Sequence, residues 1–305
     1  MLDLLILGGS IAGSTAAVYA ARRKLDLKLI APEMGGEIAT TKEIENWPGI
    51  NNISGAEFTQ KIKEQLKYNN VPIELGIYAI AVEKKDNFFL VRAKNFAGTD
   101  LVYETKTVII ATGAKPKELG AHGEKEFFHR GVTYCATCDA PLFKNKVVVV
   151  AGGGNSAISS ALMLGEIASQ VYIINIHQEF KGETILIEKI KNHPKIKIIS
   201  EAAIQKINGE KNVTSIDYKN KVGEIINLPT QGVFIHAGLR SNADFVTLVE
   251  KNQRGEIVAD NVGRTSIPGI FAAGDVTNVA YKQIVVAAGM GCSSALAAID
   301  YLNQK

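Results

Sequence analysis

Asp3-Leu4-Leu5-Ile6-Leu7-Gly8-Gly9-Ser10-Ile11-Ala12-Gly13 decides the fold. An apolar run of strand length enters a glycine turn, and Ser14 to Arg23 follows as an Ala-rich helix. Leu27-Lys28-Leu29-Ile30 reads as the next strand, so residues 3–30 form a βαβ unit that opens a parallel sheet. Gly8 permits the tight turn, and Gly13 lets helix and strand approach closely. The free N–H groups at the helix start suit a pyrophosphate. Ser10 stands where the dinucleotide pattern has its middle glycine, which tightens the backbone approach there.

The same plan returns at Lys146. Val147 to Val150, the turn Gly152-Gly153-Gly154, a helix through Leu164 and Val171-Tyr172-Ile173-Ile174 repeat strand, turn, helix and strand. Between the two copies, Phe58, Ile62 and Leu66 line one helix face. Residues 74–104 then alternate as a β-meander, with Phe88–Arg92 and Asp100–Glu104 flanking Asn95-Phe96-Ala97-Gly98. Val108 to Gly113 reads as a buried strand ending in a turn, and Val213–Ile216 with Glu224–Ile226 as a second hairpin. Near the C-terminus, Gly269 to Asp275 is strand, turn and acid, and Ala288 to Leu302 is a small-residue-rich helix. A carboxylate at a strand end suits a sugar hydroxyl, which returns the last segment to the first domain. The expected class is α/β: two Rossmann-like three-layer nucleotide-binding domains, the second inserted in the first, each with a small β-meander. The boundaries are 1–113 with 241–305 for the outer domain and 114–240 for the inserted one.

The formal charge is +3 over 305 residues, and no basic block is interleaved with aromatics, so a nucleic-acid partner is not expected. Leu4 to Leu7 has no basic residues before it and is not a signal peptide. No apolar run looks long enough to cross a membrane, so a cytoplasmic protein is expected. Of three cysteines, two form Cys135-Ala136-Thr137-Cys138, followed by Asp139. Zinc needs about four ligands, and no second Cys pair or His cluster accompanies them, so no metal is expected. In a reducing compartment this spacing indicates a pair that accepts and passes on two electrons. Cys292, in Gly291-Cys292-Ser293-Ser294-Ala295, reads as a small buried hydrophobe.

These motifs, in this order, resemble the low-molecular-weight thioredoxin reductases from end to end. The resemblance covers Glu43-Ile44-Glu45-Asn46-Trp47-Pro48-Gly49, Ala111-Thr112-Gly113, Cys135 to Asp139, Gly152 to Ala157, Ala272-Ala273-Gly274-Asp275, Gln283 and Gly291-Cys292. It implies FAD held by Gly8, Ser10, Ile11, Ala12, Gly13, Gly35, Gly36, Glu37, Asn46, Thr112, Gly113, Gly274, Asp275, Lys282, Gln283 and Ile284. It implies a nicotinamide dinucleotide at Gly152, Gly154, Asn155, Ser156, Ala157 and Asn175. Cys138 would lie against the flavin with Cys135 as its partner, and Asp139 would shuttle a proton. A homodimer, thioredoxin or a thioredoxin-like acceptor, and an inserted domain that rotates complete the implied picture.

Several residues depart from the family pattern. Glu37 stands where Gln is common, Ala140 where Gly is usual, and Ser159-Ser160 where NADPH users carry paired glutamates. The His-Arg-Arg-x-x-x-Arg signature that grips a 2′-phosphate is replaced by Asn175-Ile176-His177-Gln178-Glu179-Phe180-Lys181. Lys181 lacks the planar fork that favours bidentate phosphate contact. The donor order read from these residues is NADH, then another donor such as reduced ferredoxin, then NADPH. Service to a peroxiredoxin system is a further alternative, although no N-terminal thioredoxin-like domain is expected here.

Overall fold

The computed structural model describes residues 1–41 and 44–304. Glu43, the first residue of the expected Glu43–Gly49 segment, lies outside the described residues. The chain divides into two compact units, Met1–Lys115 with Arg240–Lys305, and Pro116–Leu239.

The first unit begins with β1 (Leu2–Gly9), α1 (Ile11–Arg22), β2 (Leu27–Met34), α2 (Glu37–Thr40) and α3 (Gly55–Tyr68). Next come β3 (Ile73–Leu75), β4 (Ile77–Lys84), β5 (Phe89–Asn95), β6 (Asp100–Ile110) and β7 (Ala114–Pro116). The second unit holds β8 (Val132–Thr133), α4 (Ala136–Asp139), a 3-10 turn (Ala140–Phe143), β9 (Val147–Ala151), α5 (Asn155–Ile167) and β10 (Gln170–Asn175). It continues with α6 (Thr184–Asn192), β11 (Ile196–Ser200), β12 (Ala203–Gly209), β13 (Val213–Lys219), β14 (Ile225–Pro229) and β15 (Gly232–Ile235). After β16 (Leu239–Ser241), the first unit is completed by β17 (Ile270–Ala272), a 3-10 turn (Gly274–Val276) and α7 (Ile284–Asn303).

In the first unit the sheet order is β3-β2-β1-β6-β5-β4, with β17 also on β6. Side chains alternate across β1: Leu4 and Ile6 join the cluster of α1, α3 and α7, whereas Leu5 and Leu7 join the opposite cluster with Val91 and Val246. β6 carries both textures. Its first half pairs antiparallel with β5, and its second half runs parallel to β1 and β17. Sequence patterning divides this stretch into two strands, but the structure makes it one. Thr105 and Thr107 are fully buried at the join, and their hydroxyls donate to the carbonyls of Thr107 and Asp3, so the chain needs no turn there.

The second unit repeats the parallel core as β11-β10-β9-β15-β8, beside a three-stranded antiparallel sheet β12-β13-β14. The two hydrophobic clusters of this unit draw only on its own residues.

One expectation is corrected by α7. By length and composition this helix is apolar enough to cross a membrane, with a mean hydropathy of 1.5 over 18 residues. In the fold one face of it packs into the unit: Ala287, Gly291, Ser294, Ala295, Ala298 and Ile299 are buried, and Gly291 lies against the Ala12 backbone. Glycines and serines break up the run as written, but their small side chains are what let α7 approach α1. Cys292, expected to be buried, is half-buried beside the Tyr19 hydroxyl, whose pKa it raises.

Candidate active site

The glycines of the first turn meet backbone, which explains their identity. At Gly8 (φ +122°) a Cβ would lie 2.2 Å from the Ala111 carbonyl oxygen, and at Gly13 a Cβ would lie 2.0 Å from the Gly8 oxygen. Three segments far apart in sequence converge on the start of α1. Gly8 brings in Ala111 and Thr112, and a Cβ on Gly36 would stand 3.4 Å from the Ser10 Cβ. A Cβ on Gly274 would stand 3.1 Å from the Ala12 Cβ, so the Asp275 turn arrives there too. The Ser10 hydroxyl donates to the Gly35 carbonyl at 2.7 Å, tying the turn to the segment expected to wrap a flavin. Ser10 is therefore the N-cap residue of α1 without capping it. Among the described residues no side chain caps α1, α5 or α7. Their first N–H groups remain for an anion, and a dinucleotide pyrophosphate fits that donor set.

Asn46 and Gln283 meet in the same unit, the Asn46 amide donating to Gln283 Oε1 at 3.3 Å. Ile284 is the first residue of α7. Trp47 packs edge-on against Phe58, with ring centroids 5.1 Å apart. Burial pushes the Glu37 carboxyl up from its ordinary value, with Glu33 adding to the shift and Lys115 opposing it. Burial likewise raises Asp275, opposed by Lys282 and reinforced by Glu37.

Sequence reasoning missed two residues that hold this site. The Lys282 ammonium donates to the carbonyls of Asp275 and Thr277 and pairs with Glu256 at 3.2 Å. Its three N–H donors are thereby all engaged by protein, so Lys282 acts as a strut that fixes the Asp275 turn. Glu256 is 7% exposed and also accepts from the Asn252 amide. Asn242 clamps the end of β6: its amide donates to the Thr112 carbonyl, and its own carbonyl accepts from the Thr112 hydroxyl at 2.7 Å. Neither Glu256 nor Asn242 belongs to a local motif, so nothing near them in sequence marks them.

In the second unit, Gly152 (φ +143°) would place a Cβ 2.5 Å from the His236 carbonyl oxygen, whereas among the described residues nothing lies within 4 Å of a Cβ on Gly154. Asn155 and Ser156 open α5 and are exposed, while Ala157 is fully buried. Asn175, expected to reach a ribose, is only 2% exposed. Its amide donates to the Glu179 carbonyl at 2.8 Å, and its oxygen accepts from the His177 N–H at 3.2 Å. Asn175 thus shapes the 176–179 loop from within. That loop folds back on the glycine turn: the Lys181 N–H donates to Gly153, and the Glu183 N–H to the Asn155 side chain.

Cys135 and Cys138 are joined in a disulfide. Cys135 is the N-cap residue of α4, and its sulfur accepts from the Cys138 N–H at 3.2 Å. The Asp139 carboxylate accepts from the Thr133 hydroxyl, and the same hydroxyl accepts from the Cys135 N–H at 3.1 Å. Ala136 and Ala140 anchor this turn in the cluster that holds Ala157, Ile158 and Ala161 of α5.

The pyridine nucleotide-disulphide oxidoreductase family profile matches residues 2–291. A protein of Bacillus subtilis named NADH dehydrogenase is 37% identical over 98% of this chain and 58% of its own length. One component of the alkyl hydroperoxide reductase of Staphylococcus aureus is 38% identical over 98% of this chain and 59% of its own length. The chain therefore spans less than two thirds of these relatives. The crystal structure of thioredoxin reductase from Streptococcus pyogenes matches with a TM-score of 0.91 at 36% identity, covering 100% of this chain and 99% of that one.

Proposed function

The chain belongs to the pyridine nucleotide-disulphide oxidoreductase family, and on that premise we propose that it passes electrons from NADH, through FAD, to the Cys135–Cys138 disulfide and on to a thioredoxin-like protein. The observation that carries this reading is the closed disulfide with Asp139 tethered beside it. In this reading Met1–Lys115 with Arg240–Lys305 is the FAD domain, and Pro116–Leu239 is the NAD(P)-like domain with the redox pair. The uncapped start of α1, with Gly35, Gly36, Thr112, Gly113 and Asp275 gathered near it, would hold the pyrophosphate and ribityl chain. Asn46 and Gln283 would meet the flavin ring. FAD, when bound, supplies two-electron transfer between a nicotinamide and a disulfide.

The protein's own residues then manage charge and protons. When the disulfide opens, the Cys138 N–H favours negative charge on Cys135. Asp139 carries the proton that the other sulfur needs. Exchange with the acceptor follows by attack of a thiolate on its disulfide. A cytoplasmic homodimer is the proposed setting.

NADH is the proposed donor because the 176–178 loop offers Ile176, His177 and Gln178 where a 2′-phosphate would need arginines. The likeness to a protein named NADH dehydrogenase supports the same choice. The test is an anaerobic titration of the yellow protein with each nucleotide, following flavin bleaching. Stoichiometric bleaching by NADH is expected. Bleaching by dithionite but by neither nucleotide would overturn the donor assignment and favour a ferredoxin-type donor.

A further inference from the structure

We propose that Thr133 is a positioning residue that couples the redox disulfide to its proton carrier, an inference that rests on the function proposed above. Thr133 closes β8 and is 5% exposed, so water competes little for its hydroxyl. That hydroxyl has one proton to give. The Cys135 N–H can only donate to it, so the proton goes to Asp139 Oδ2. One oxygen therefore links the backbone of the first cysteine to the carboxylate that follows the second. The Asp139 N–H donates to the Cys135 carbonyl at 3.1 Å and closes the ring of contacts. The buried carboxylate in this part of the unit, Glu124, is already occupied by the N–H groups of Leu119 and Gly120 and by the Tyr134 hydroxyl.

The role follows from the balance of the reaction. Two electrons from a dithiol, which becomes a disulfide itself, or from reduced flavin break the Cys135–Cys138 S–S bond. With one proton taken up, the products are one thiol and one thiolate. The Cys138 N–H holds the charge at Cys135, which leaves the proton for Cys138. The hydroxyl donated to Asp139 fixes the orientation of its carboxylate next to the disulfide turn. Without that hydroxyl the carboxyl would turn freely.

Thr133→Val keeps the branched shape and removes both hydrogen bonds, while Thr133→Ser keeps both. Each is made in the full chain and again with Asp139→Asn. The pH profile of iodoacetamide alkylation after reduction by a phosphine needs no flavin electrons, and steady-state disulfide reduction is the second readout. Thr133→Val is expected to shift the alkylation midpoint by about one pH unit and to slow turnover roughly tenfold at unchanged KM. Thr133→Ser restores both. In Asp139→Asn, adding Thr133→Val costs less than about twofold, because the pair acts as one unit. Equal slowing with and without Asp139, or an unmoved profile in folded Thr133→Val, overturns the proposal. Hydrogen exchange at the Cys135 amide of the unaltered protein provides a measurement independent of variant folding: slow exchange supports the Thr133 contact, and unprotected exchange overturns it. An active wild type with an unmoved profile defeats only the positioning role. A wild type that reduces no disulfide, with a profile that still moves, defeats only the functional reading.

Discussion

His236 is the residue whose environment differs most from what its type would suggest. It follows β15, donates its backbone N–H to the Ala151 carbonyl, and buries Nε2 with no partner among the described residues. Burial lowers its pKa to about 4. Because the folded value lies below the unfolded one, the neutral imidazole contributes stability above pH 6.5 that is lost as pH falls toward 4. Urea unfolding should show about 2 kcal/mol lost between pH 7 and pH 5 from this group, and His236→Gln should remove that part of the slope. Asn175 teaches a related lesson, since its amide is committed to the loop rather than to a ligand. On the proposed function, donor choice would then fall to the exposed side chains beyond it. Ile176→Arg with His177→Arg places two cations on a loop whose backbone Asn175 already holds. NADPH affinity, measured by calorimetry, is expected to rise about tenfold or more relative to NADH.

At the scale of elements, α7 shows how small residues act through distance. A Cβ on Gly291 would lie 2.1 Å from the Ala12 carbonyl oxygen, whereas a Cβ on Gly289 meets nothing within 4 Å among the described residues. Gly291→Ala should therefore destabilise by about 1–3 kcal/mol through overpacking. It should also weaken FAD binding, because Ala12 sits at the start of α1. Gly289→Ala, on the same helix, should stabilise by up to about 1 kcal/mol from helix propensity. Thermal unfolding of the pair, with flavin retention followed by fluorescence, separates contact from propensity. The 20-residue helix was legible in sequence as small and apolar, but its partner was not. Likewise β6 reads as two strands until pairing with β5 on one half and β1 on the other makes it one.

Across the whole molecule, the duplicated plan has a physical consequence. Each unit closes its own core: Phe234, Ile158 and Leu164 are fully buried in a cluster built only from the second unit, as Leu4, Ile6 and Leu66 are in the first. A fragment spanning residues 116–239 should therefore fold without the rest of the chain. Circular dichroism and urea unfolding of that fragment should show one cooperative transition, and a non-cooperative melt would refute its autonomy. The glycine turns and the Cys-x-x-Cys pair were readable because each is local chemistry at fixed spacing. Glu256, Asn242 and Thr133 were not, because each acts on a residue that the fold, not a motif, brings within reach.

Sequence by itself determined the two strand–turn–helix starts, their glycines and the redox pair, since strand periodicity, turn stereochemistry and thiol spacing are set within a few residues. Tertiary structure alone decided that Asn175 faces its own loop, that Lys282 braces the Asp275 turn, and that one threonine hydroxyl serves both a cysteine and an acid. The physical reason is that a polar group's role depends on which partners burial leaves it, and those partners come from segments that meet only once the chain has folded.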